Sequence, residues 1–117
     1  MKKINVGVIG NGFVGESIAF AFSPTCEIKV YDKNKLRSLN PLEEVLQSDF
    51  IFVCVPTPMK KDGSQDFSFV ENVFKNAKRG PIYIIKSTVL PGSTKLLQKK
   101  FNKLDIVFSP EFLTERT

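Results

Sequence analysis

Six residues near the amino end have the types and spacing to hold a phosphate. Gly10-Asn11-Gly12-Phe13-Val14-Gly15 follows a β-rich run, Ile4 to Ile9, and opens a segment of helical periodicity. In that place the first glycine permits a tight turn, the second lets the backbone approach a pyrophosphate, and the third lets a helix pack closely on a strand. The helix start adds unpaired N–H groups and a partial positive charge. A glycine-rich turn that holds no ligand shares this local pattern. Asp32 decides between the two. It ends the second β-rich run, 17 residues after Gly15, where a carboxylate can accept hydrogen bonds from the hydroxyls of an adenosine ribose. The pair points to dinucleotide binding, with NAD favoured over NADP because a carboxylate there repels a 2′-phosphate. Lys33, Lys35 and Arg37 lie just behind and weaken that preference; Arg37 either packs over an adenine or is solvated.

Three later segments carry further candidates. In Val55-Pro56-Thr57-Pro58 two prolines fix the backbone and Thr57 offers a hydroxyl to a cofactor, although a rigid loop start accounts equally for the pattern. In the stretch from Lys86-Ser87-Thr88 to Ser93-Thr94, small hydroxyl residues cluster where a nicotinamide ribose and a substrate would lie. Ser93 can also cap the next helix, and Lys86 is read as a strand-end charge. Glu111, after Pro110 at a strand's carboxyl end, has the chemistry of a general base or of a solvated carboxylate. Other chemistries are short of parts. There is no His, and Cys26 and Cys54 stand in no disulfide or metal spacing, so no metal site is expected. Cys54 lies in an apolar run and is expected to be an inert core thiol.

Those residues need a scaffold, and the apolar pattern supplies one. Ile4–Ile9, Glu27–Tyr31, Phe50–Val55, Ile82–Ile85 and Asp105–Phe108 read as strands, the third as a central strand covered on both faces. Between them, Phe13–Phe22 places Val14, Ile18, Ala21 and Phe22 at helical spacing. Asn40-Pro41-Leu42-Glu43 is a helix start with Asn40 as the expected cap, and Ser68 with Glu71 is an expected capping box. The helix that follows buries Phe69, Val70, Val73, Phe74 and Ala77, and a last helix from about Ser93 is expected to bury Leu96, Leu97 and Phe101. Strict β-α alternation with short loops defines an α/β domain, a doubly wound parallel sheet with helices on both faces.

Length and composition agree. The chain has 117 residues, 42% of them hydrophobic, which is one domain, residues 1–117. Its net charge of +5 comes from basic residues spread along the chain without interleaved aromatics, so no nucleic-acid partner is expected. No run of 18 apolar residues and no signal peptide occur, so the expectation is a soluble, cytoplasmic domain with no membrane partner.

Taken together, GNGFVG (10–15), VYDKNKLR (30–37), VPTPMKKDGSQDFSFVE (55–71), STVLPGST (87–94) and SPEFLTERT (109–117) resemble the NAD-binding domain of the UDP-glucose/GDP-mannose dehydrogenase family. The resemblance implies a Rossmann-type domain with NAD as cofactor. It implies oxidation at C6 of a nucleotide sugar, UDP-glucose first among the candidates, from alcohol to acid with two NAD per turnover. In the family a cysteine captures the aldehyde and water hydrolyses the resulting thioester. Carried over by resemblance, Gly10, Asn11, Gly12, Phe13, Val14 and Gly15 hold the pyrophosphate, with Asp32 on the ribose and Arg37 nearby. Val55, Thr57, Pro58, Ser87 and Thr88 line the cofactor, Thr88 stands close to the reacting centre, and Glu111 assists the water step. Phe112, Leu113, Thr114 and Glu115 contact the sugar nucleotide. The stretch between Asp32 and Phe50 is much shorter than is usual in the family: one short helix replaces a strand and hairpin. This implies five parallel strands in the order 2-1-3-4-5 and leaves one wall of the adenine end in doubt. Arg116 stands where the family often has Gly. The family's nucleophilic cysteine lies beyond Thr117, so the 117 residues alone are expected to be inactive. A stand-alone nucleotide-sensing module is the alternative, sharing the glycine turn and acidic residue but needing neither STVLPG nor PEFL.

Overall fold

The computed structural model describes residues 3–57, 60–64, 66, 68–87 and 93–109, apart from the side chains of Phe13, Ser93 and Thr94. The elements alternate: β1 (Ile4–Ile9), α1 (Phe13–Phe22), β2 (Cys26–Tyr31), α2 (Leu42–Val45), β3 (Phe50–Val53), α3 (Ser68–Lys75), β4 (Ile82–Ile85), α4 (Ser93–Lys100) and β5 (Asp105–Phe108). All strand pairs are parallel, in the order β2-β1-β3-β4-β5. The expected Rossmann-like topology is therefore present.

The order fixes which helix lies where. The chain steps from β1 outward to β2, then returns across β1 and continues the other way. With right-handed crossovers, α1 covers one face, while α2, α3 and α4 share the opposite one. The larger core lies on the three-helix face, where Ile51, Val53, Tyr83 and Ile85 meet Val70 and Phe74 of α3 and Leu97 of α4. The smaller core joins Val8 and Val30 to Ile18 of α1. Phe22 extends it by stacking on Phe52 at 5.5 Å. Beyond that contact few of the described residues cover this face, and Val107 on β5 is 48% exposed.

The side chains at the sheet margins show how the strands are finished. Asn40 lies beside β2: its Oδ1 accepts the Val30 N–H (2.9 Å), and its own N–H donates to the Val30 carbonyl (2.7 Å). Gln98 of α4 does the same for β5. Its Nε2 donates to the Leu104 carbonyl (2.7 Å) and its Oε1 accepts the Ile106 N–H (3.2 Å). Both sets of backbone groups point away from the neighbouring strand, since Tyr31 and Ser109 are the residues that bond inward to Gly10 and Ile85.

Several local expectations need correction. Asn40 does not cap α2; Pro41 holds that position, because Asn40 is spent on β2. Ser68 lies inside α3, and Asp66 does the capping: its Oδ1 accepts the Ser68 N–H (3.0 Å) and hydroxyl (2.6 Å). Glu71 instead pairs with Lys100 at 2.7 Å, tying α3 to α4. β3 stops at Val53, although the Cys54 N–H still reaches the Ile9 carbonyl (2.8 Å); Pro56, with no N–H, cannot prolong the ladder. Leu96 is 70% exposed and Ala21 is exposed, because each short helix turns a single narrow stripe, Leu97 or Ile18, toward the sheet.

Candidate dinucleotide cleft

A cleft of about 740 Å³ opens at the carboxyl ends of β1, β2 and β3. Its floor is the turn from β1 into α1. Gly10 has φ of 99°, a conformation that L side chains avoid, and a Cβ there would sit 2.8 Å from the Cys54 carbonyl carbon and oxygen. At Gly15 a Cβ would overlap the Gly10 carbonyl oxygen, so the helix reaches this turn only with glycine in that position. Gly12 differs from both. Its φ of −86° suits any residue and a Cβ would meet nothing within 4 Å, yet the residue lines the cleft. A side chain at Gly12 would therefore occupy ligand space, not protein space.

Asp32 stands at the end of β2, half-buried on the cleft wall. Its Oδ2 accepts the Asn11 N–H (2.7 Å) and its Oδ1 the Asn34 N–H (2.7 Å). Two backbone donors thus hold the carboxylate in one orientation, and each oxygen keeps a lone pair for a ligand hydroxyl. Asn11 also clamps the next loop, donating from Nδ2 to the Arg37 carbonyl (2.7 Å). Lys33 lines the same cleft, with its Nζ 5.8 Å from the centroid of the Phe69 ring.

Of the residues expected at a cofactor, Gly10, Gly12, Val14, Asp32, Arg37 and Val55 line this one cleft. Gly15 lies packed beneath it and Asn11 braces its wall. Thr57 is half-buried in the loop after β3 and does not line the cleft. Ser87 is not brought there either: its buried hydroxyl donates to the Val55 carbonyl at 2.6 Å, so it fixes the cleft-lining segment from behind. Pro58, Thr88, Glu111, Phe112, Leu113, Thr114 and Glu115 lie outside the described residues, as does the Phe13 side chain. Cys54 is half-buried and lines the cleft, not the sealed core position expected of it, because β3 ends one residue before it.

Several cleft residues were not among those expected at a cofactor, notably Leu42 of α2 and Phe69, Asn72, Val73 and Asn76 in or just after α3. Their signal was present but pointed elsewhere, since Phe69 at helical spacing reads as core. The loop before α3 is itself stiffened by carboxylates. Asp62 bonds the Ser64 hydroxyl (2.6 Å) and N–H (2.9 Å), and Asp66 does likewise with Ser68. These hydrogen bonds hold both carboxyls below the ordinary aspartate value.

No group of three or more potential metal ligands occurs among the described residues. Nor, among them, is any helix long and apolar enough to cross a membrane. What the geometry offers is a glycine floor, a fixed carboxylate and a far wall of Phe69, Val73 and the two amides Asn72 and Asn76.

Comparison with known proteins gives the same class. The NAD-binding domain of the UDP-glucose/GDP-mannose dehydrogenase family matches residues 27–117. The chain belongs to that family. It is 33% identical to UDP-glucose 6-dehydrogenase of Campylobacter jejuni, over 96% of this chain and 37% of that protein. It is 29% identical to the Streptococcus pneumoniae protein of the same name, again over 96% and 37%. Among solved structures, UDP-glucose dehydrogenase of Pyrobaculum islandicum shares the fold, with a TM-score of 0.78 at 24% identity over 97% of this chain and 37% of that one. The chain thus spans little more than a third of the length of these relatives.

Proposed function

We propose that the chain binds NAD in the cleft between Gly12 and Asp32, as the cofactor half of a cytoplasmic nucleotide-sugar dehydrogenase. The observation that carries this reading is the open space at Gly12 facing a carboxylate oriented by two backbone N–H groups. NAD, when bound, supplies a hydride acceptor. The residues of this chain bind and orient it. Gly10 and Gly12 admit the pyrophosphate to the start of α1, and Asp32 receives the adenosine ribose hydroxyls. Ser87 holds Val55 against the cofactor. Asp32 also disfavours a 2′-phosphate, a preference that Lys33 on the same cleft reduces without cancelling.

The family supports a reaction in which a primary alcohol at C6 of a UDP-sugar, UDP-glucose foremost, becomes an acid. Two hydrides leave, one to each of two NAD, and one water oxygen enters. In this reading Thr88 and Glu111 serve the reacting centre, Thr57 and Pro58 flank the cofactor, and Phe112 to Glu115 meet the sugar nucleotide. Neither cysteine is given the thiol step in this reading, since Cys54 borders the glycine turn and Cys26 begins β2 at the opposite end of the sheet. The unit acting here is the single domain 1–117. Isothermal titration with NAD and NADP tests the reading: NAD should bind, and NADP at least about tenfold more weakly. A flat NAD titration at about millimolar nucleotide overturns it.

A further inference from the structure

Between β2 and α2 the chain turns two large apolar side chains away from any core. Leu36 is 94% exposed and Leu39 75% exposed, and neither lines the cleft. The loop that carries them is nonetheless fastened on both sides of each leucine. The Asn34 Oδ1 accepts the Leu36 N–H (3.0 Å), and the Asn34 carbonyl accepts the Arg37 N–H (2.9 Å). The Arg37 carbonyl takes the Asn11 amide, and the Leu39 N–H donates to the Val30 carbonyl (3.0 Å). The leucines are therefore presented in place, and a contact made through them needs little further ordering.

The charge of this stretch is of one sign. Lys33, Lys35 and Arg37 are exposed, and no acidic residue occurs between Asp32 and Glu43. The Asp32 carboxylate is held on the cleft wall by the N–H groups of Asn11 and Asn34. Two leucines set among three cations complement a surface that is anionic outside and apolar beneath. An anionic bilayer has both layers: its negative surface potential attracts basic segments, and its headgroup boundary takes up apolar side chains. It also yields to a projecting loop, so no matching groove is needed.

We propose that residues 33–39 form a docking surface for an anionic lipid bilayer. Leu36 and Leu39 enter the headgroup boundary, and Lys35 with its neighbouring cations meets the lipid phosphates. Lying on a bilayer requires no spanning segment, so the expectation of no membrane partner, drawn from the lack of a long apolar run, is replaced by a surface contact.

The test is co-sedimentation of the whole chain with vesicles of equal parts phosphatidylglycerol and phosphatidylcholine, and with vesicles of phosphatidylcholine alone. The mixed vesicles should bind at least about tenfold more strongly, and raising the salt from about 0.05 to 0.5 M should release the protein. Leu36→Ser with Leu39→Ser should weaken binding by about tenfold or more, and Lys35→Glu by a similar factor. All three side chains are exposed, so these variants should melt as the unmodified chain does. Leu96→Ser, which removes a leucine 70% exposed on α4 beside Lys95, should leave binding unchanged. Failure to sediment with the mixed vesicles overturns the proposal, as does equal binding to phosphatidylcholine or binding that survives the paired serines. A lipid-free, concentration-dependent dimer abolished by the same serines also overturns it and gives the leucines to a second copy of the chain.

Discussion

Gly12 and Gly15 belong to one motif but do separable work. A Cβ at Gly15 collides with the backbone of Gly10, so Gly15→Ala should destabilise the fold by about 1–3 kcal/mol, the usual range for forced overpacking. A Cβ at Gly12 collides with nothing, so Gly12→Ala should leave the melting temperature unchanged or slightly raised. The same substitution should weaken NAD at least about tenfold by filling phosphate space. Thermal melts paired with titrations check both outcomes, and a Gly12→Ala variant that binds NAD normally would contradict the placement of the pyrophosphate. At this scale the sequence was legible wherever chemistry depends on local spacing. Gly10, Gly12 and Asp32 act through the turn they sit in. Phe69 and Asn76 were not legible as cleft residues, because they reach the cleft only once α3 is packed on the sheet through Val70 and Phe74, and a lone sequence carries no sign of that juxtaposition.

Helix starts gave the least reliable reading of the elements. Ser68 with Glu71 has the spacing of a capping box, yet Asp66 is two residues nearer the loop and its charged oxygen accepts from both the N–H and the hydroxyl of Ser68. A carboxylate at that position also suits the positive end of the helix dipole. Glu71 is thereby released to pair with Lys100. Because its folded pKa is lowered, Asp66 contributes stability that is complete above the ordinary value of 3.8 and is lost as pH falls through the lowered value. Asp62, lowered by the same kind of bonding, acts in the same direction. Asp66→Asn keeps a capping oxygen but cannot titrate. Below about pH 4, melting temperatures of the unmodified chain should therefore fall more steeply with pH than those of the Asn variant. Parallel acid titrations of the two proteins check this; superimposable curves would rule it out.

At the scale of the whole molecule, parallel topology followed directly from strict β-α alternation, and the strand order came from the motif resemblance. What the pattern concealed is how the sheet ends. Asn40 and Gln98 each occupy outward-facing backbone groups of an edge strand, β2 and β5. Asn40 had been expected to cap a helix, and Gln98 belongs to no motif. Edge strands with vacant donors and acceptors invite pairing with other chains. Removing both amides, as Asn40→Ala with Gln98→Ala, should lower stability by roughly 1–3 kcal/mol per site and increase β-rich aggregation on heating. Light scattering and a fibril-binding dye would register the change, and an unaltered aggregation profile would argue against an edge role.

The Asn40 contact also bears on the connection between β2 and β3, in which the four-residue α2 is the only helix. β2 has β1 on one side and, among the described residues, no strand on the other. On that open side the Val30 carbonyl takes the N–H groups of Leu39 and Asn40, and the Val30 N–H takes the Asn40 side chain. A stretch of loop with one well-placed amide thus does at the rim of the sheet what a further strand would otherwise do, so the length of this connection is tied to the residue at position 40.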